Sequence, residues 1–400
     1  MDFIADEQIL YRSPNPAGIY CFTPALVEGF GGRLLAGVDR GGPGCTALDG
    51  PRSAEGDSPA GNQVRILVSD DRGRSWRETA ARIPMLHEIL FRAGRRLYAL
   101  GHSAGLCISA SDDNGETWSA PAMLRAGGDW HQSSTTPVLR NGRVYLVYER
   151  YIDYGGRRRW PNIELFLLSA AADADLTRAE AWRFSEPFNP VPLCEEIRSL
   201  TNLPDALNSG ILETHVLPVG PGCGLLARQD PDAFLLASRL NSLEMPLAVY
   251  LKGSEAPDGT LAISRWRSLG TTAGIFAVPC PCGSLKFHIL YDEPTRLYFM
   301  AANQQRHGWC DIDAPRPSSR RHLALWASPD CLSWARLGSI AFGPAENAPR
   351  NYPHLLIDGD DLLAIVRSGD LDSATHHNSN LVTLHRVQGF RALAAAMMGL

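Results

Sequence analysis

The 400-residue sequence predicts an all-β chain folded as a six-bladed β-propeller, on three observations. The octapeptide SDDRGRSW at 69–76 returns forty-two residues later as SDDNGETW at 111–118, with five of its eight letters in place. Short runs of Val, Leu, Ile and Tyr follow Gly, Asp or Asn turns along the chain: GRLLAGV, RRLYALGH, GRVYLVYE, CGLLAR, TRLYFMAAN and DDLLAIVR. Long helical periodicity is scarce, and 37 Gly and 28 Pro are scattered throughout. Apolar runs of this length between turn residues are strands. A repeat of about 40 residues is the length of one four-stranded propeller blade.

Applied in order, the template places blades at about 19–82, 84–124, 132–187, 210–268, 284–340 and 350–393. One domain, 1–400, then uses the whole chain, and EQILYRS near the N-terminus supplies a last strand that closes the ring. In the octapeptide, Asp and Ser side chains can bond amides of their own turn, and Gly supplies positive φ. The Trp that follows is expected to pack between blades. SPDCLSW at 328–334 keeps Ser, Asp and Trp, and the stretch from Ser169 to Trp182 falls at the same place in the third unit.

Composition bounds the function. Hydrophobic residues make up 44% and charged residues 20%, enough apolar material for a large core. The formal net charge of −5, with no basic stripe, argues against nucleic acid as a partner. No run approaches the ~18 apolar residues of a membrane span, so no membrane partner is expected. MDFIADEQIL lacks the basic and apolar regions of a signal peptide. The expectation is a cytoplasmic protein, or a secreted one whose leader is absent from this sequence. Nine cysteines cannot all pair and suit buried thiols in a reducing compartment. Cys280 and Cys282 with His307 and Cys310 have the types for zinc, but their spacing matches no standard pattern. Neither a metal nor a cofactor is expected, and the sequence carries no signal for oligomeric state.

The repeated octapeptide is the Asp box, and with it the chain resembles the sialidase (neuraminidase) superfamily of Asp-box, or BNR-repeat, propellers. The resemblance extends over the layout of the whole chain and is specific at the boxes and four residues. In LETHVLPVGPGCGLLARQD, Glu213 opens one strand and Arg228 ends the next, resembling the family's base and an arginine of its carboxylate-binding triad. Arg320, in SSRRHLALW, matches the third triad arginine. Tyr352, in RNYPHLLIDGDD, matches the nucleophile.

What the resemblance implies is an exo-glycoside hydrolase that removes a terminal acidic sugar, sialic acid or a relative, from a carbohydrate partner. Glu213 would take the proton of Tyr352, and the arginines would grip the substrate carboxylate. The family's acid is an Asp on the long first-blade loop, where Asp57 fits best and Asp39 and Asp49 are rivals. The first triad arginine is missing, since Phe22 of CFTPAL stands in its place. The glutamate that orients it is also missing, and AIVRSGD puts Arg367 near that position. Arg367 or Arg12 would have to supply the third guanidinium.

Histidines form a second pattern. His102, His131, His215, His288 and His354 fall at strand ends that should face the axis, one from each of five blades, and His377 lies in the ATHHNSN loop. Axial histidines suit sugar-hydroxyl binding or proton abstraction beside a uronate carboxylate. This supports an alternative, a polysaccharide lyase or hydrolase for uronate glycans, with His102 and His131 as acid and base and Tyr148 or Tyr352 assisting. Lys286 could reach the axis as a substrate ligand, and Glu149 and Arg150 share the strand-end position of Arg228. A non-catalytic glycan-binding propeller is the third reading.

Overall fold

A computed structural model describes residues 3–53, 60–152, 162–201, 210–241, 246–267, 274–275, 277–304 and 319–400. It is a six-bladed β-propeller whose blades are six antiparallel sheets. Blade 1 runs through Tyr20–Glu28, Leu34–Gly41, Gln63–Ser69 and Arg77–Ile83, and blade 2 through Leu86–Ala93, Arg96–His102, Gly105–Ser111 and Ala122–Ala126. In blade 3, Trp130–His131 and Val138–Arg140 both pair with Arg143–Tyr151, followed by Ile163–Ala171 and Trp182–Phe184. Blade 4 is built on Ile211–Pro218, Phe234–Leu240, Leu247–Glu255 and Leu261–Arg267, and blade 5 on His288–Asp292, Leu297–Asn303, His322–Ser328 and Ala335–Phe342. Blade 6 comprises Arg350–Asp358, Asp361–Ser368 and Leu381–Val387, with Ala5–Arg12 on its outer edge. The N-terminal strand therefore completes the last blade and joins the two ends of the ring.

The apolar faces of the strands meet between neighbouring blades. Each of the six junctions holds its own buried cluster, for example Leu35 and Val64 with Leu97 and Ala99 between blades 1 and 2. The same arrangement recurs at the other five junctions. No helix is long and apolar enough to cross a membrane among the described residues. Eight cysteines are free and buried, Cys280 and Cys282 among them, while His307 and Cys310 lie outside the described residues.

The octapeptides form one turn twice. Ser69 Oγ accepts from Gly73 N at 2.8 Å, Asp71 accepts from Ser75 N at 2.8 Å, and Trp76 Nε1 donates to Gly73 O at 3.1 Å. Ser111, Asp113, Gly115, Thr117 and Trp118 repeat these bonds at 2.8, 2.9 and 3.1 Å. Gly115 is at φ 93°, where a Cβ would lie 2.0 Å from Leu35 Cδ2, so this turn admits only glycine without displacement. Trp76 packs at the junction of blades 6 and 1, Trp118 at that of blades 1 and 2, and Trp334 at that of blades 4 and 5.

One of the six expected strands is different. CGLLAR forms a short helix, Gly224–Ala227, and the second strand of blade 4 is Phe234–Leu240. A four-residue apolar run cannot be assigned by periodicity, and Leu, Ala and Arg are good helix formers.

The feature that positions the site is a bulge near the start of the inner strand of four blades. The register slips between Cys21 and Pro24, Leu86 and Ile89, Leu212 and His215, and Asn351 and His354. The first inserted residues are Phe22, His87, Glu213 and Tyr352. Three of them, His87, Glu213 and Tyr352, sit at φ 55°, 56° and 50°. A side chain in this left-handed region costs about 1–3 kcal/mol and persists where the surroundings enforce it. Directly across the ladder, opposite the residue before each bulge, stand Arg40, His102, Arg239 and Arg367.

Candidate active site

The bulges bring their side chains to one mouth of the propeller, around a cavity of about 320 Å³. Phe22, His87, His131, Tyr151, Arg239, Arg320, Tyr352, Arg367 and His377 are among the lining residues. Among the described residues the lining holds three arginines and no carboxylate. A cavity of about 400 Å³ between blades 4 and 5, lined by Pro279, Trp326 and Trp334 among others, has no charged residue in its described lining and so lacks acid–base equipment.

Tyr352 and Glu213 meet through Arg239. Its Nη1 donates to Glu213 Oε2 at 2.9 Å and reaches the Tyr352 hydroxyl at 3.4 Å. Its Nε donates to Ser284 O at 2.8 Å, which fixes the guanidinium plane. Glu213 and Tyr352 have no direct hydrogen bond, and Glu213 Oε1 is buried without a partner among the described residues. Burial alone would raise the Glu213 carboxyl, but Arg239, His131 and Lys286 outweigh it and hold it at about 2. The Tyr352 phenol is raised by burial and by Glu213, against the pull of Arg239, Arg367 and Arg320. An ionised carboxylate with a vacant lone pair thus lies near a protonated phenol.

Arg367 comes from blade 6. Its guanidinium lies 3.7 Å from the Tyr352 ring centroid and 5.7 Å from that of Phe22. Its Nε donates to Phe22 O and its Nη1 to His377 O at 3.3 Å. Burial pulls it down to about 10, with Tyr352 opposing. Arg320, in the turn before the third strand of blade 5, stands 6.0 Å from the same ring.

Facing these groups is a histidine cluster. His87 Nδ1 lies 3.1 Å from His102 Nε2, and the His87 and His131 rings meet edge to face at 4.9 Å. His131 Nδ1 is 3.2 Å from Glu149 Oε2. The other oxygen of Glu149 accepts from Thr214 N and Oγ1, each at 2.9 Å, one residue beyond Glu213.

Several expected site residues lie elsewhere. Arg228 ends the short helix on the surface, because the run before it is not a strand, and Arg239 stands beside Glu213 instead. His215, His288 and His354 are buried below the cavity, where they plug the axis. Their rings meet at 5.1 and 4.3 Å, Thr136 Oγ1 lies 3.2 Å from His288 and 3.1 Å from His354, and Ser134 bonds His354. Burial pushes all three imidazoles down, His354 to about 3. Lys286 is buried with them, donating to Phe287 O at 2.7 Å, and burial, partly offset by Glu213, brings it to about 7. His215, Lys286, His288 and His354 are not among the residues that line the cavity.

Tyr148 is also buried, donating to His87 O at 3.1 Å. Glu149 stands behind His131 and not in the lining, and Arg150 pairs with Glu164 at 2.8 Å. Arg12 pairs with Asp370 on the surface. Asp57 lies outside the described residues. Asp49 is tied to Arg65 and Arg82, and Asp39 is buried, accepting from His87 N at 3.1 Å. Sequence reasoning missed His87 and Arg239. The signal was positional: each occupies a place that Tyr352 or Arg367 marks in blade 6.

No protein-family model and no curated protein matches the chain. Solved structures do. The Trypanosoma rangeli sialidase is 13% identical with a TM-score of 0.58, over 100% of this chain and 61% of that one. The chain has the six-bladed fold of the sialidases. The Penicillium chrysogenum α-L-arabinanase, solved with arabinobiose, is 11% identical with a TM-score of 0.53, over 96% of this chain and 98% of that one. A Dyadobacter fermentans protein of unknown function is 11% identical with a TM-score of 0.56, over 96% and 99% of the two chains. The chain therefore spans about three fifths of the length of the trypanosomal sialidase, and its fold is one on which glycoside hydrolases are built.

Proposed function

We propose that this protein is a glycoside hydrolase that releases a terminal acidic sugar from a glycan, with Tyr352 as nucleophile and Glu213 as its base. The observation that carries the reading is the convergence of Arg239, Arg320 and Arg367, from three blades, on the Tyr352 phenol. A ketoside bearing a carboxylate on its anomeric carbon repels a carboxylate nucleophile. A neutral phenol deprotonated during attack avoids that repulsion, which is why sialidases depart from the two-carboxylate scheme.

The substrate carboxylate would sit on the guanidinium groups, whose planar forks favour bidentate bonds. Arg367 would supply the guanidinium that Phe22 cannot, delivered from the neighbouring blade. The phenol proton passes to Glu213 Oε1 as the Tyr352 oxygen bonds the anomeric carbon and the glycosidic oxygen departs with its electron pair, taking a proton from an acid. Water then displaces Tyr352, and the sugar leaves with retained configuration. Release of free sugar from a fluorogenic sialoside, abolished in Tyr352→Phe with the melting temperature kept, tests this. Undiminished turnover by that variant would refute it.

The histidine cluster favours a second reading, elimination from a uronate glycan with His131 and Tyr352 exchanging protons across the cavity. That reaction yields an unsaturated, ultraviolet-absorbing product, which hydrolysis does not.

A further inference from the structure

We propose that the general acid/base of this site is His131, oriented by Glu149, rather than an aspartate. The proposal rests on the hydrolase reading above and names the group that reading leaves open. His131 borders the same cavity as Tyr352, and the described lining offers no carboxylic acid to protonate a leaving group. Its Nδ1 is committed to Glu149 at 3.2 Å, so Nε2 is the nitrogen that exchanges the proton.

Glu149 is fully buried, and both its oxygens are used, one on His131 and one on Thr214. A buried carboxylate holding an imidazole by Nδ1 fixes its tautomer and orientation, as the third member of a catalytic triad does. Because Thr214 adjoins Glu213, one bulge positions both the base of the nucleophile and the anchor of the acid. The titratable and charged groups facing His131 are Glu149, Glu213, His87 and Tyr151.

The proton balance closes. As the glycosidic C–O bond breaks, its electron pair goes to the leaving oxygen, which takes the Nε2 proton of His131. The Tyr352 proton goes to Glu213. In the second half, neutral His131 takes a proton from the attacking water, Tyr352 departs with its electron pair, and Glu213 returns the phenol proton. His131 is a catalytic residue in this scheme, and Glu149 is a positioning residue.

The test compares two glycosides of the same acidic sugar, one with an activated aryl leaving group and one with an alkyl leaving group. General acid catalysis contributes about 10²–10⁴-fold and matters most for poor leaving groups. His131→Gln, and His131→Asn as a second variant, should lose about 100-fold or more on the alkyl substrate and less than about 10-fold on the aryl one. Both should melt at the wild-type temperature. Glu149→Gln should lower kcat more than it raises KM, and more on the alkyl glycoside than on the aryl one.

Equal losses on both substrates, or the leaving-group signature appearing in Asp57→Asn instead, would overturn the assignment. Failure of the hydrolase reading looks different, because Tyr352→Phe would then keep wild-type turnover whatever His131 does. A wild-type protein that turns over neither glycoside refutes both.

Discussion

Arg367 holds its guanidinium carbon 3.7 Å from the centroid of the Tyr352 ring, stacking a cation on the side chain assigned as nucleophile. Such contacts favour the deprotonated phenol and the cation together. Arg367→Ala should lower kcat/KM for an acidic substrate by about 10- to 100-fold, the worth of one charge-assisted bond. The loss should be much smaller for the same sugar with its carboxylate reduced. Arg367→Lys should not restore activity, because an ammonium cannot reproduce the fork. Equal losses on both sugars would remove Arg367 from carboxylate binding.

Arg239 and Arg228 offer a direct contrast. Arg239 joins Glu213 and Tyr352, whereas Arg228 is on the surface after a short helix. Arg239→Lys should reduce kcat/KM by about 10- to 100-fold, since an ammonium keeps the charge but cannot join Glu213, the Tyr352 hydroxyl and Ser284 O as the guanidinium fork does. Arg228→Ala should change neither kcat nor KM. Steady-state kinetics on both variants decides the matter.

Glu213 makes the stability depend on acid. Its carboxyl is held at about 2 in the fold against 4.5 ordinarily, so the unfolded chain takes up the proton first. The stabilisation, roughly 3 kcal/mol at most, is complete above about pH 5 and is lost as pH falls from there towards 2. Urea unfolding should show wild type more stable than Glu213→Gln at neutral pH, with the gap narrowing on acidification. A gap constant from pH 6 to 3 would contradict the ion pair with Arg239.

Gly115 tests the outer turn separately from the site. Its φ of 93°, and the 2.0 Å approach of a Cβ to Leu35, should make Gly115→Ala cost about 1–3 kcal/mol. Kinetic constants should be unchanged at temperatures where the variant is folded. A drop in kcat with no change in melting temperature would mean that this turn serves the mouth of the propeller.

The propeller was legible because its signal is repeated. Turn residues before apolar runs and two copies of one octapeptide specify blades, each of which needs a neighbour to bury its faces. Tyr352, Arg320 and Arg367 were legible as strand-end positions that the ring must gather at one mouth. Arg239 was not, because CGLLAR is an apolar run of strand length built from good helix formers, and the true strand, Phe234–Leu240, follows it. His87 was hidden because nothing in LHEILF marks the bulge that turns it into the cavity. The five histidines all fall at strand ends in sequence, yet His131 lines the mouth, His102 bonds His87, and His215, His288 and His354 pack together out of the cavity lining. Depth along the axis is set by ladder register, which a list of strand ends does not contain.

The central claim is that Tyr352 attacks the anomeric carbon. Incubation with a 2,3-difluorinated acidic ketose, followed by digestion and mass spectrometry, tests it most directly, because fluorine slows breakdown of a glycosyl–enzyme. The expected result is one sugar on the peptide that carries Tyr352, absent in Tyr352→Phe. An adduct on another residue, or none on Tyr352 in a protein that hydrolyses the unfluorinated sugar, would contradict the account.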